Sequence, residues 1–174
     1  MQEPYSRPMH LAGRDRDPLS EQISEPIDVS TEEGPALRDA AQTAARAAED
    51  EEAAAAARDS FRVSPIQPIE ADDAIRPHLA EDERLHALRR HAILRPPGGD
   101  GALGYGGTLY LTSRRLIHLG QVVVSVNLTD IVESSMAGER ILLTLREGEG
   151  MSLDVDLPRL LRAEMAEIGR GLRE

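Results

Sequence analysis

The residues of this sequence best suited to bind a ligand are arginines clustered between positions 84 and 115. This segment holds six Arg and one acid, Asp100, which gives it a net charge of +5. A guanidinium group binds phosphate or carboxylate through two parallel hydrogen bonds. If residues 84–119 pair as three consecutive strands, several of these side chains should meet near one rim of the sheet. The candidate anion-binding residues are Arg89, Arg90, Arg95, Arg114 and Arg115.

These arginines have two other interpretations. Arg on outer strand faces can simply keep those faces soluble and protect sheet edges. Alternatively, the acidic front of the chain could cover the arginines, with Glu49-Asp50-Glu51-Glu52 folding back onto them and inhibiting an anion site. The charge distribution is compatible with this, because residues 1–60 carry a net charge of −8, residues 61–83 carry −4 and residues 84–174 carry +1.

Residues that could perform other chemistry lack the context that their chemistry requires. Gly99–Gly104 matches G-x-G-x-x-G, but it follows two prolines and leads into a predicted strand, whereas a dinucleotide site needs it to open a helix. The five His show no metal-ligand spacing, and we expect them at or near the surface. The sequence has no Cys, which excludes thiolate chemistry. Asp154 and Asp156 are expected on an exposed strand face, where they would be solvated. We predict no enzyme, no cofactor and no metal.

Short strands and one helix must position the arginines. Apolar and polar residues alternate in successive runs between residues 108 and 157, separated by turn residues, as is typical of half-buried strands. Residues 84–95 fit either a helix or a strand. A stripe with helical spacing then follows at Leu161, Met165, Ile168 and Leu172, with Asp156 as a plausible N-cap. The expected core residues are Leu109, Leu111, Leu116, Val124, Leu143, Leu153, Val155, Leu161 and Met165.

The front of the chain divides into three segments. Residues 1–35 are polar and rich in Pro and acids, which predicts a disordered acidic arm. Residues 36–59 are dominated by Ala, the best helix former. A coiled-coil seam needs apolar side chains, which this stretch lacks, and we therefore predict a solvated helix. A coiled-coil or partner helix is the alternative. Residues 60–83 are interpreted as a linker with a short helix around Ala71–Arg76.

The back of the chain resembles the pleckstrin-homology superfold, in which seven antiparallel strands are capped by a C-terminal helix. The run Gly107–Ile117 (GTLYLTSRRLI) and the run Val124–Ile131 (VSVNLTDI) are similar to GRAM-type members. The resemblance covers residues 84–172 and favours a strand at 84–95. It implies a mainly β fold, a seven-stranded antiparallel barrel or sandwich with a terminal α-helix, and a binding module without catalysis.

The expected function is that of an adaptor that recognises a protein partner. The alternative is peripheral docking on anionic lipid headgroups through the Arg-rich rim. A net charge of −11 and the absence of Trp argue against a nucleic-acid partner.

The sequence has neither the apolar core of a signal peptide near its start nor a run of about 18 apolar residues. We therefore expect a cytoplasmic protein, peripheral at the inner membrane face under the alternative. Exclusive use of Arg over Lys, with abundant Ala, indicates a GC-rich bacterial genome.

Overall fold

The computed structural model describes residues 33–96 and 104–173. The predictions for residues 1–32 and for the glycine-rich loop at 98–103 lie outside these ranges. Within them the chain forms two α-helices, seven β-strands and two short 3-10 helices. The helices and strands are α1 (Glu33–Phe61), β1 (Leu85–Arg95), β2 (Tyr105–Thr112), β3 (Arg115–Gly120), β4 (Val123–Asn127), β5 (Ile131–Ala137), β6 (Arg140–Leu145), β7 (Gly150–Asp154) and α2 (Pro158–Gly171).

The strands of the described residues form one antiparallel sheet in the order β4-β3-β2-β1-β7-β6-β5. The long strand β1 pairs with both β2 and β7. Its register shifts between Arg89 and Ala92, where His91 has a φ of 57°. Such a bulge bends a strand, so the two halves of β1 can serve two sides of one core. With α2 at its end, this is the pleckstrin-homology-like layout, and the fold-class prediction is confirmed.

The core lies between the sheet and α2. Alternate residues of the strands point inward, while the α2 stripe of Leu161, Met165 and Ile168 covers them. The expected core residues all belong to this cluster, with Val124 and Val155 partly buried at its margin. Each inward Leu or Ile that loses contact with water stabilises the fold by about 1.5–3 kcal/mol.

The predicted linker is part of the folded domain. The amide of Ile69 donates to the carbonyl of Leu85 at 2.7 Å, and Ile75 is fully buried against Tyr110 and Ile117 on the outer face of the sheet. The hydroxyl of Tyr110 lies 3.2 Å from the carboxylate of Asp72. The helix expected around Ala71–Arg76 is instead a turn followed by a 3-10 helix at Arg76–His78.

Helix α1 packs against α2 and extends beyond the predicted range of 36–59. Residues 36–46 are exposed, as in a solvated helix, but Asp50 and Ala54 are buried. On α2, Ala163 is buried although it lies on the side opposite the core-facing stripe. Each of the two packed helices therefore buries a small residue outside the core-facing stripe.

The start of α2 differs from the prediction. Asp156 is exposed and is not the N-cap. The N-cap is Leu157, which has a φ of 51° and makes no side-chain capping bond. In this left-handed conformation the side chain of Leu157 is 39% exposed. The capping carboxylate comes instead from Asp50 of α1.

Candidate surface for partner binding

The five predicted anion-binding arginines are spread along the domain. Arg114 and Arg115 lie at the β2–β3 turn, beside the start of β1, because Leu85 pairs with Thr112. Arg95 lies at the far end of β1, a distance on the order of 30 Å for a strand of this length. Arg89 faces α2, and Arg90 is exposed. The structure therefore brings together Arg114 and Arg115 only.

Four of these arginines are paired with carboxylates of the same chain. Arg89 binds Glu164 at 2.8 Å, and Arg115 binds Glu83 at 2.7 Å. Arg95 pairs with Asp154, and Arg114 pairs with Asp82. Within the described residues Arg90 forms no salt bridge. Anion binding by these five residues stays a prediction, and it would require an anion to compete with existing ion pairs.

The strongest of these pairs is centred on Glu83, which is buried. Its carboxylate accepts hydrogen bonds from two nitrogens of Arg115 and from the amide of Ala80, and it lies 2.5 Å from the Thr112 hydroxyl. Burial alone would raise the pKa of Glu83, but the hydrogen bonds from Arg115, Thr112 and Ala80 outweigh it and lower the pKa to about 2. The cluster ties residues 80–83 to the β2–β3 turn.

Two other acidic groups have shifted pKa values. Asp154 was expected to be solvated, but Arg95 and Arg140 bracket it. Burial would raise the pKa of Asp154, yet the hydrogen bonds from Arg140 and Arg95 lower it overall. For Glu164, burial raises the pKa in spite of the neighbouring charge of Arg89. These carboxylates hold strands and helix together, which is a structural role.

The acidic cluster of α1 contacts the domain at a different place from the arginines that it could have covered. Asp50 and Glu51 both contact Arg159 at the start of α2, at 3.4 Å and 3.5 Å. Neither forms a salt bridge with the arginines at positions 84–115. The cluster therefore fastens α1 to α2.

The histidines also differ from expectation at one position. His118 is 1% exposed, because it lies two residues after Leu116 and therefore on the same inward face of β3. Its Nδ1 lies 3.3 Å from the carbonyl of Val122, and its Nε2 has no partner among the described residues. Across residues 33–96 and 104–173, no three His, Asp or Glu side chains converge as a metal site would require. No helix in those ranges is long and apolar enough to cross a membrane.

The two terminal strands of the sheet have edges that differ in protection. Strand β5 has a register shift between Ile131 and Glu133, and Glu133 is charged and exposed. Arg162 of α2 donates to the carbonyl of Ser134 at 2.6 Å. Bulges, charges and covering side chains are the devices that prevent another chain from pairing with an edge. The β5 edge is therefore protected.

Strand β4 has none of these devices within the described residues. Its sequence, Val123-Val124-Ser125-Val126-Asn127, is uncharged, and its register with β3 is unbroken. The amide of Leu128 donates to the carbonyl of Arg114 at 2.8 Å, so these two residues form a hydrogen-bonded pair. Hydrogen-bonded and non-bonded pairs alternate along an antiparallel ladder, and Val126 and Val124 are therefore the residues of β4 that are hydrogen-bonded to β3. By that alternation, the backbone groups of Val123, Ser125 and Asn127 point away from β3. We call these outward groups the β4 edge.

A groove of about 250 Å³ runs beside the β4 edge, between β4 and the β6–β7 turn. Val126 and Leu145 supply apolar surface in it, and three carboxylates line it. Its Arg146 is directed to the carbonyl of Thr129 at 3.0 Å. We call this cleft the acidic groove; its residues are Ser125, Val126, Asn127, Asp130, Leu145, Arg146, Glu147 and Glu149.

The sequence contained part of the signal for this surface. A run of five uncharged residues with alternating valines predicts a strand that can pair on both sides. It does not reveal that β4 ends the sheet, because strand order depends on pairings between distant segments. The approach of residues 145–149 to β4 depends on the same distant pairings.

No protein-family model and no curated protein matches this sequence. Among solved structures, the N-terminal PH domain of Vps36 aligns with 64% of this chain and 91% of its own, at 19% identity and a TM-score of 0.46. The C-terminal domain of an unknown protein from Leishmania infantum aligns with 49% of this chain and 84% of its own, at 16% identity and a TM-score of 0.38. The strand order and the terminal helix establish the fold class.

Proposed function

We propose that this protein is a non-catalytic binding module that acts as an adaptor by recognising a protein partner. The observation that supports this most is the β4 edge, where the outward N–H groups of Val123, Ser125 and Asn127 and the outward C=O groups of Val123 and Ser125 are unpaired within the described residues. An extended segment of another protein can add to such an edge as a further strand, with main-chain hydrogen bonds giving affinity and neighbouring pockets giving specificity.

The alternative, docking on anionic lipid headgroups, has less support. A membrane-binding surface needs cationic side chains that are available to phosphate groups. Here Arg89, Arg95, Arg114 and Arg115 already bind carboxylates. Arg84 and Arg90 are exposed and form no salt bridge within the described residues, but two cations contribute only about 2 kcal/mol at an anionic surface.

Two measurements on the full chain distinguish these functions. In the first, the immobilised protein selects from a library of random peptides displayed on phage. In the second, it is sedimented with vesicles of phosphatidylglycerol and phosphatidylcholine across a salt series. The adaptor function predicts enrichment of a shared peptide pattern and no sedimentation with vesicles. Failure to enrich any peptide, together with vesicle binding that falls steeply with salt, would overturn it in favour of the membrane.

A further inference from the structure

We propose that the segment bound at the β4 edge is an extended strand carrying an Arg or Lys side chain, which the acidic groove receives. This inference rests on the proposed function, and it adds the site and the chemistry of the partner. It starts from the backbone. Val123 and Ser125 each present an N–H and a C=O away from β3, and Asn127 presents its N–H. The C=O of Asn127 accepts the first bond of the 3-10 helix at Leu128–Asp130, so an incoming strand can form a ladder along β4 as far as the N–H of Asn127.

The groove determines which side chains the incoming strand carries. Alternate residues of an added strand point to the same side, so every second side chain faces the groove. There Val126 and Leu145 offer apolar contact, while Asp130, Glu147 and Glu149 offer carboxylates. Apolar side chains with one or two cations among them match this lining.

The carboxylates of the groove are open to a cation from outside. Glu147 and Glu149 are exposed and form no salt bridge within the described residues. Asp130 accepts a hydrogen bond of 2.9 Å from the side-chain amide of Asn127 and forms no salt bridge within the described residues. Arg146 donates to the carbonyl of Thr129 and forms no salt bridge with these carboxylates within the described residues. The net charge of the groove is therefore −2 with Arg146 included.

The same charges argue against a second copy of this chain as the occupant. Pairing of two β4 strands around a two-fold axis would bring two acidic grooves together. Each chain also carries a net charge of −11. Like charges facing each other oppose such an association, whereas a basic segment gains from them.

The test uses two labelled peptides of about nine residues, long enough to span β4. One alternates Val with Arg, and the other alternates Val with Glu. Fluorescence anisotropy measures the binding of each to the full chain. We expect the Val/Arg peptide to bind with an affinity at least about tenfold higher than that of the Val/Glu peptide. Equal binding of both would overturn the inference of a basic partner, while the adaptor function would stand.

Matched variants locate the site. The double variant Glu147→Lys with Glu149→Lys should weaken binding of the Val/Arg peptide by about tenfold or more. The double variant Glu81→Lys with Glu139→Lys makes the same change of charge at exposed residues outside the groove, and we expect it to have a much smaller effect. Equal losses in both would mean general electrostatic attraction, which overturns the site.

A second pair of variants tests the edge. Val123 and Val132 are the exposed valines of the two terminal strands, at 63% and 59% exposure. Proline at 123 removes an outward N–H at the first residue of a strand, where Pro is tolerated. Val123→Pro should abolish binding and Val132→Pro should not, with melting curves checking that both fold. The proposal would be overturned if folded Val123→Pro still bound the peptide. It would also be overturned if the free wild-type chain were a dimer and Val123→Pro were a monomer.

Discussion

The carboxylate of Asp50 in α1 accepts a hydrogen bond of 2.8 Å from the backbone N–H of Arg159, in the first turn of α2 and 109 residues further along the chain. Its other oxygen accepts from the N–H of Leu160 at 3.0 Å. The first amides of a helix have no partner within the helix, and α2 has no side-chain cap of its own. A distant part of the chain therefore caps α2.

Replacing Asp50 with Ala should lower the free energy of unfolding by about 1–2 kcal/mol, because two amides and the guanidinium of Arg159 lose their acceptor. Urea denaturation followed by circular dichroism measures this change. Glu52→Ala, two residues further along α1 and exposed, is the control and should change stability by less than about 0.5 kcal/mol. Equal effects of the two variants would contradict the capping role of Asp50.

Glu83 should make the stability of the domain depend on pH in the acid range. Its pKa is about 2 in the folded protein against an ordinary value of 4.5, so the ionised form is favoured by folding. The stabilisation, about 3 kcal/mol, is complete above pH 4.5 and is lost as the pH falls towards 2. The measurement is the free energy of unfolding of the wild type and of Glu83→Gln across this range.

The difference in stability between these two proteins should shrink steadily below pH 4.5, because the protonated side chain of Glu83 and the glutamine of the variant are both uncharged. Comparing the two proteins removes the contribution of Asp154, whose lowered pKa gives a similar dependence. A difference that stays constant from pH 4.5 to about 2 would show that Glu83 has an ordinary pKa in the folded protein.

Neighbouring leucines of β6 provide a test of the strand assignment. Leu143 is 1% exposed in the core, whereas Leu142 is 39% exposed on the opposite face. Leu143→Ala should lower the free energy of unfolding by about 2–5 kcal/mol, enough to unfold much of a domain this small. Leu142→Ala should cost less than about 1 kcal/mol. Thermal melting of both checks this, and the reverse ranking would mean that the inward face of β6 is wrongly assigned.

Two adjacent glycines of β2 should respond differently to an added methyl group. A Cβ at Gly107 would lie 2.7 Å from the ring of His118 and would overlap the carbonyl of Leu119, whereas a Cβ at Gly106 would meet nothing within 4 Å. Gly107→Ala should therefore lower the free energy of unfolding by about 1–3 kcal/mol, while Gly106→Ala should be close to neutral. Chemical denaturation measures both, and equal stability of the variants would contradict the close packing of β2 on β3.

These glycines also show where prediction from the sequence reached its limit. The strands with alternating Leu and Val were predicted because period-two alternation is a local signal. The first part of β2, Tyr105-Gly106-Gly107, was missed, since a glycine-rich run is typical of a loop. Its strand conformation depends on the close approach of β3, which the sequence does not show.

Contacts between distant residues account for the other errors. Asp156 has the right type and position for an N-cap, but Asp50 takes that role because α1 packs on α2. The arginines at 84–115 form a cluster in the sequence, yet each of four meets a carboxylate supplied by another segment. His118 was the one error that a local pattern could have avoided, because it occupies an inward position of β3.

Hydrogen exchange at the backbone amides of β4 tests the central claim, that this strand is an open binding edge. In the protein alone, the amides of Val123, Ser125 and Asn127 should exchange rapidly, while those of Val124 and Val126, bonded to β3, should be protected. With the Val/Arg peptide bound, the three outward amides should become protected as well. Outward amides that are already protected in the protein alone, or that gain no protection when the peptide is bound, would contradict the account.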